Sequence, residues 1–328
     1  MNAKVKWSES EVIRMFAGQY AQPSSVRVGN GDDGAVLTHE PGEALVVTTD
    51  SLVEGIHFGW ELTYPDCLGR KLVAINVSDV AAMGGAPRHI FLSLMLPPEL
   101  DTSRLEEIAR GVHCACREYD ITVLGGNVSA IHGPTTMVGI VTGVVGSAGS
   151  LCRGFARNGD DVWVSGFLGD AAAGLHFVSR EGALAGSKFE PYRRWAQPRA
   201  RVELGRFLAE EHLATSLCDI SDGLGTDLEN LLKPAGRGAE VEAERIPISD
   251  PCRDYAHQLS ASPLDWAISG GEDYELLFTA KPEARARLST WLGDAKLTRI
   301  GRVVDVPTLT LLDENVRAPL GHGYRHNQ

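Results

Sequence analysis

The sequence predicts a mixed α/β protein. β-branched runs that are typical of strands, such as 44–49, 121–124 and 137–145, alternate with helix-like segments at 66–83 and 103–119. A chain of 328 residues exceeds the usual size of one domain, so this alternation extends over two domains. The fold class expected is therefore α/β with mixed sheets, in two parts.

The domain boundary is predicted near residue 148. The small residues at 146–150 end the first series of elements, and a new strand-like run begins at 161–165. We therefore expect an N-terminal domain at 1–148 and a C-terminal domain at 149–328.

Composition narrows the class of protein. With 43% hydrophobic and 23% charged residues, the chain is typical of globular proteins, and its six cysteines show neither a CxxC pair nor zinc-ligand spacing. The net charge of −12 disfavours nucleic acid and anionic membranes as partners.

The charged start of the chain lacks the apolar core of a secretory signal, so a cytoplasmic protein is expected. The uncharged stretch 133–152 is interrupted by glycine and proline, and indicates a strand at 136–145 rather than a membrane span.

Within the first domain, the segment 66–83 predicts a helix that begins with Asp66 as its N-cap and stops at Gly84. Lys71 and Asp79 are eight residues apart, which places them on roughly one face of that helix.

A glycine-rich loop at 29–34 matches the dinucleotide pattern GxGxxG, but the residues after it run into a turn and another strand instead of a helix. Two aspartates in the loop would also repel a pyrophosphate, so dinucleotide binding is disfavoured. The chain has no GxxxxGK[ST], HExxH or GxSxG motif, which disfavours a P-loop enzyme, a zincin and a typical serine hydrolase.

Carboxylates in glycine, serine and threonine contexts remain, most of them expected at the ends of apolar runs and so at one rim of a sheet. They are Asp32, Asp33, Asp50, Asp79, Asp219, Asp222, Glu272 and Asp273. Each alone is more often a turn or capping residue, but several together require counter-cations. Magnesium takes oxygen ligands from carboxylates and substrate phosphates, so the set predicts a multi-metal enzyme that handles phosphates.

The same motifs resemble those of the thiamine-monophosphate kinase family, which lies in the aminoimidazole ribonucleotide synthetase-like ATP-binding group. In chain order, the stretches that carry the resemblance are 31–35, 48–58, 76–84, 219–224 and 269–276. They are spread over nearly the whole chain. The runs Val-Glu-Gly-Ile-His-Phe at 53–58 and Gly-Gly-Glu-Asp-Tyr-Glu-Leu at 270–276 favour this family over its relatives.

The resemblance implies that ATP phosphorylates thiamine monophosphate to thiamine diphosphate by in-line transfer, with several Mg²⁺ ions and no general base. It also implies a homodimer formed through the N-terminal sheet. The metal ligands implied are Asp33, Thr48, Thr49, Asp50, Asp79, Asn127, Asp219 and Asp222. Contacts to ATP are implied for Gly126, Asn127, Arg153 and Ser221, and contacts to thiamine monophosphate for His57, Glu272 and Tyr324.

Several alternatives stay open at this level. His57 could be a satisfied structural histidine, and Arg157 competes with Arg153 for the ATP contact. Asn127 stands where the family commonly has aspartate, so one metal site loses a full negative charge. The alternatives for function are a related ATP-dependent synthetase with another acceptor, and a catalytically attenuated protein that binds thiamine phosphate or nucleotide.

Overall fold

The computed structural model describes Met15 and residues 26–28, 36–37, 42–146, 148–293, 295–314 and 316–323. Contacts divide the chain into two compact units. One contains the described residues up to Val80 together with those from Gly85 to 146, and the other contains Ala81–Gly84 and the described residues from Ala148 onward.

The first unit is built around a four-stranded sheet with two long helices. Its elements, in chain order, are β1 (Val26–Val28), β2 (Val36–Leu37), β3 (Ala44–Val53), α1 (Pro65–Ala82), β4 (Ala86–Leu96), α2 (Thr102–Glu118), β5 (Thr122–Ala130) and β6 (Thr136–Val145). β1 and β2 form a separate antiparallel pair. The strand order of the main sheet is β3-β6-β4-β5, with β4 and β5 parallel and the other neighbours antiparallel.

Helix α1 packs closely on β6. A Cβ atom at Gly139 would lie 2.4 Å from the amide nitrogen of Asn76, so a larger residue there would displace the asparagine. The residues of α1 are buried almost without interruption from Cys67 to Ala82. This helix therefore forms the centre of the unit and brings its polar residues against β3 and β6.

The second unit has a seven-stranded sheet. Its strands are β7 (Asp161–Ser165), β8 (Ala214–Asp219), β9 (Gly238–Glu242), β10 (Leu276–Ala280), β11 (Leu297–Val304), β12 (Leu309–Asp313) and β13 (Val316–Pro319). Its helices are α3 (Asp170–Gly186), α4 (Glu190–Ala196), α5 (Val202–Glu210), α6 (Leu224–Leu232), α7 (Asp250–Gln258), α8 (Pro263–Ser269) and α9 (Arg285–Leu288), with 3-10 turns at Lys233–Ala235, Ala243–Arg245 and Pro282–Ala284. The order is β13-β12-β9-β11-β7-β10-β8, antiparallel except for β9 and β12.

Both faces of this sheet are covered. Along β7, Val162 and Val164 pack into a core that includes Leu228 and Leu277, whereas Trp163 points to the opposite core and stacks on Phe278. This alternation is the period-2 pattern of a strand whose two faces are both buried. None of the helices in the described part of the chain is long and apolar enough to span a bilayer.

The α/β prediction is confirmed, and the strands at 136–145 and 161–165 have the predicted bounds. Two local predictions were wrong. Helix α1 begins at Pro65, so Asp66 lies in its first turn instead of capping it. Strand β3 continues to Val53 because Ser51–Val53 keep pairing with β6, and Asp50 therefore lies inside the strand instead of ending it.

Candidate active site

A polar cluster lies between β3 and α1 in the first unit. Thr48 and Asp50 are two residues apart on β3 and so share the face toward α1. The hydroxyl of Thr48 donates to a carboxylate oxygen of Asp79, and the backbone N–H of Asp50 donates to Oδ1 of Asn76 at 2.8 Å. Asp50 and Asp79 are both half-buried. Thr48, Asp50 and Asp79, which are three of the predicted metal ligands, therefore lie where β3 faces α1. The side chains of all three would offer oxygen atoms to a metal ion.

Thr49 and Asn127 lie on the opposite face of the same sheet. Thr49 is exposed and donates to the carbonyl oxygen of Gly139 at 2.9 Å. Asn127 is exposed too, and its amide donates to the hydroxyl of Ser129 at 3.1 Å. β3 and β5 are the two edge strands, so three strand spacings, about 14 Å, separate the two residues. Within one chain they do not meet at a single ion.

His57 lies in the turn that follows β3. Its Nδ1 accepts the backbone N–H of Val53 at 3.0 Å, and the N–H of Gly55 donates to the carbonyl of Phe58. Because Nδ1 is the acceptor, the neutral imidazole carries its proton on Nε2. The turn thus holds the ring in one orientation.

In the second unit, Asp219 ends β8, and the turn that follows carries Ser221 and Asp222. The backbone N–H groups of Ser221 and Asp222 both donate to one carboxylate oxygen of Asp227, at 3.0 and 2.9 Å. Asp227 lies in the first turn of α6 and is 2% exposed. It fixes the backbone of the turn, while Asp222 itself stays half-buried and Asp219 is buried.

The charge of Arg153 acts on the buried carboxyl group of Asp227 beside this turn. Burial raises the pKa of Asp227 to about 7, and the charges of Asp219 and Asp222 contribute to the rise. The hydrogen bond from Asp222 and the charge of Arg153 act in the opposite direction. The charge of Arg153 therefore acts on Asp227. The backbone N–H of Arg157 donates to Asp160 at 2.9 Å, a contact that does not decide between the two side chains.

The turn is joined directly to the loop at 270–275. The N–H of Glu272 donates to the carbonyl of Ser221 at 2.8 Å, and the N–H of Tyr274 donates to the carbonyl of Ile220 at 2.9 Å. The N–H of Gly323 donates to the hydroxyl of Thr226 at 2.9 Å, which brings the end of the described chain to the same place. Two motifs that are about 50 residues apart in sequence thus form one surface.

The three acidic residues of the loop have different environments. Asp273 and Glu275 are 9% and 4% exposed, and Glu272 is half-buried. Asp273 accepts the N–H groups of Gly169 and Ala171 at the start of α3, at 2.8 and 3.2 Å. Burial raises the pKa of Asp273 well above its ordinary value. Of these three, Glu272 is the acid best placed to meet a ligand.

Three residues of the predicted set, Asp32, Asp33 and Tyr324, lie outside the described residues. Within the described ranges, no three His, Cys, Asp or Glu side chains cluster as a metal site. Sequence reasoning missed Asn76 and Asp227, which shape the two clusters. An acidic residue shortly after a glycine that precedes a helix is a readable signal for Asp227, because carboxylates stabilise helix N-termini.

Comparison with known proteins identifies the family of the chain. Residues 31–148 match the AIR synthase related protein, N-terminal domain, and residues 157–314 match the corresponding C-terminal domain. Thiamine-monophosphate kinase of Aquifex aeolicus is 37% identical over 279 residues, which cover 83% of this chain and 85% of the relative.

Solved structures give the same result. Thiamine-monophosphate kinase of Stenotrophomonas maltophilia is 36% identical with a TM-score of 0.79, covering 90% of this chain and 93% of that one. A structure described as AaThiL complexed with AMPPCP and TMP is 32% identical with a TM-score of 0.76, covering 87% and 88%. The chain therefore belongs to the thiamine-monophosphate kinase family, within the AIR synthase related proteins.

Proposed function

We propose that this chain transfers the γ-phosphoryl group of ATP to the phosphate of thiamine monophosphate, which yields thiamine diphosphate and ADP. Family membership supports this reaction, as does the relative that was solved with AMPPCP, an ATP analogue, and TMP. The observation that carries it is the hydrogen bond from Glu272 N–H to Ser221 carbonyl. This bond couples the motif assigned to ATP and metal with the motif assigned to the acceptor.

The residues present fit Mg²⁺. Thr48, Asp50 and Asp79 in one unit, and Asp219 and Asp222 in the other, supply the hard oxygen donors that this ion takes. We propose that they hold several ions, with Asp33, Thr49 and Asn127 as further ligands. When bound, Mg²⁺ neutralises phosphate charge and aligns the two phosphate groups.

The chain itself supplies positioning and charge. The acceptor phosphate is a monoester with a second pKa of about 6, so it is mostly dianionic at pH 7 and needs no strong base. We assign Ser221, Gly126, Asn127 and Arg153 to ATP. Positive charge from Arg153 beside the Asp219 turn favours a polyphosphate there.

The acceptor side is assigned to His57, Glu272 and Tyr324. His57 presents its Nε2–H as a donor, because Nδ1 is already an acceptor for backbone. That donor suits a phosphate oxygen, whereas the carboxylate of Glu272 suits an electropositive group.

We further propose a cytoplasmic homodimer that associates through the outer face of the four-stranded sheet. Leu45 and Val47 on that face are 49% and 59% exposed. Ile140 of β6, the register partner of Thr49, and Phe91 of β4, the partner of Ile140, lie on the same face. An apolar sheet face of this kind favours protein association. Light scattering of the purified chain should give twice the mass of 35.3 kDa.

The reaction is tested by incubating the purified chain with ATP, Mg²⁺ and thiamine monophosphate and separating the products. Equal amounts of ADP and thiamine diphosphate are expected. ADP formed only with a different acceptor would instead support a related synthetase. Binding of both substrates without product would support an attenuated protein, in which case Asn127→Asp should restore turnover by returning a negative charge to the metal site.

A further inference from the structure

Glu272 is held by a tryptophan from another element. The indole Nε1–H of Trp195, on α4, donates to Oε2 of Glu272 at 2.7 Å. Trp195 is only 2% exposed, and Glu272 is half-buried. A hydrogen bond from a buried ring to an ionised group is stronger and more directional than one between neutral groups.

The backbone around Glu272 is also constrained. Gly271, Glu272 and Tyr274 have φ angles of 69°, 59° and 49°, in the left-handed region that costs energy for residues other than glycine. Hydrogen bonds to the carbonyls of Ser221 and Ile220 hold this conformation. The loop thus fixes where the Glu272 side chain starts, and the indole fixes where its carboxylate ends.

The other two acids of the loop have structural partners inside the unit. Asp273 accepts N–H groups at the start of α3, and Glu275 is paired with Arg201 and accepts from the hydroxyl of Ser165 at 2.5 Å. Because both anchors follow Glu272 within three residues, this side of the loop cannot shift without breaking buried hydrogen bonds.

We propose that Trp195 is a positioning residue for acceptor recognition: it orients the Glu272 carboxylate toward the heterocyclic end of thiamine monophosphate. An anionic carboxylate repels the phosphate end and attracts the cationic thiazolium ring or the amino group of the pyrimidine. The inference rests on the proposed function, and it assigns to Trp195 a role in affinity for the acceptor and none in the phosphoryl transfer step.

The test compares Trp195→Phe with Trp163→Phe. Both changes remove an indole N–H from a buried ring of the second unit, but Nε1 of Trp163 has no hydrogen-bond partner among the described residues, and that ring stacks on Phe278. For Trp195→Phe we expect the KM for thiamine monophosphate to rise about tenfold, with kcat and the KM for ATP within about twofold. For Trp163→Phe all three constants should stay within about twofold.

A double-mutant cycle shows whether Trp195 acts through Glu272. In a Glu272→Gln background, Trp195→Phe should change the KM for thiamine monophosphate by less than about twofold. An equal effect in both backgrounds would overturn the proposal. So would an unchanged KM in a Trp195→Phe variant that melts at the wild-type temperature, or a uniform loss in kcat and both KM values.

Failure of the proposed function gives a different result, because it appears in the wild-type chain. If the wild type makes no thiamine diphosphate, calorimetric titration with thiamine monophosphate replaces KM, and the same tenfold ratio between wild type and Trp195→Phe is expected. Absence of binding by the wild type would overturn both. If Trp195→Phe does not fold, Glu272→Asp replaces it in the test, because the shorter side chain withdraws the carboxylate from the indole and keeps the negative charge. An unchanged KM for thiamine monophosphate in Glu272→Asp would refute the inference.

Discussion

Replacing Arg201 by methionine should destabilise the second unit strongly. Arg201 is 3% exposed, and its guanidinium pairs with both oxygens of Glu275, with Nε at 2.7 Å from Oε2. Glu275 is itself 4% exposed. Methionine fills a similar volume but leaves that carboxylate without its countercharge, and losing one partner of a buried pair costs about 3–5 kcal/mol.

The neighbours of Glu275 support a loss near the middle of this range. Burial raises the pKa of Asp170 and of Asp273, and the charge of Glu275 raises both further. Without Arg201, the uncompensated charge of Glu275 would remain beside these two buried acids. A loss of about 4 kcal/mol corresponds to a fall in Tm of roughly 8–16 °C for a unit of this size.

Urea unfolding at pH 7 measures this free energy. The matched control is Arg206→Met, which removes an exposed pair with Glu210 at 2.9 Å and should cost no more than about 0.5 kcal/mol. Adding Glu275→Leu to Arg201→Met should recover most of the loss, because the unpaired charge is removed as well. A loss below about 1 kcal/mol for Arg201→Met alone would refute this reasoning.

Three further predictions follow from the packing and charges. Burial raises the pKa of Asp161, but hydrogen bonds and charges from Arg285 and Arg299 outweigh burial and lower the pKa below 3.8. Asp161→Asn should therefore reduce the free energy of unfolding by about 2 kcal/mol at pH 7. That difference should shrink as the pH falls below about 4, and a constant difference in thermal melts from pH 7 to pH 3 would contradict it. Asp79→Asn should keep the fold but lower kcat by at least about 100-fold in the ADP-release assay, because the charge of a metal ligand is removed. Near-normal turnover would place the metal site elsewhere. Gly126→Ala should lower the free energy of unfolding in urea by about 1–3 kcal/mol, because the new Cβ would lie 1.8 Å from the carbonyl oxygen of Leu92. The control is Gly146→Ala, which should be near neutral because a Cβ there would have no atom within 4 Å.

Much of the secondary structure was predictable because local patterns specify it. The run 136–145 is uncharged and β-branched with a proline before it, and it forms β6 with those bounds. Strand β3 was predicted too short because Asp50 looked like a strand end. Its polar side chain is tolerated inside the strand because it faces the polar residues of α1, and its backbone N–H bonds to Asn76. The pairing of Ser51–Val53 with residues 136–138 of β6 set that boundary, and no local pattern contains this pairing.

The site was predictable only in part for the same reason. The motifs predict Asp79, Asp222 and Glu272 as site residues, since each lies in a short run of characteristic residues. Trp195 has no such context, because its role depends on a hydrogen bond to a residue 77 positions further along the chain. The opposite faces of Thr48 and Thr49 follow from strand alternation alone, so that separation could have been read from the sequence once the strand was extended through Asp50.

The acidic residues of the motifs divide into two groups by what their oxygens contact. Asp227, Asp273 and Glu275 are buried and accept hydrogen bonds from backbone N–H groups or a paired arginine. Asp222 and Glu272 are half-buried on the surface that the first group shapes. The residue pattern alone gives Asp222, Glu272 and Asp273 the same standing as ligand candidates, because it records charge and spacing but not partners. The net charge of −12 thus overstates the negative charge that meets a phosphate, since part of it lies inside the unit and is already hydrogen-bonded. Substituting the first group should therefore reduce stability before it reduces affinity, and substituting the second should do the reverse.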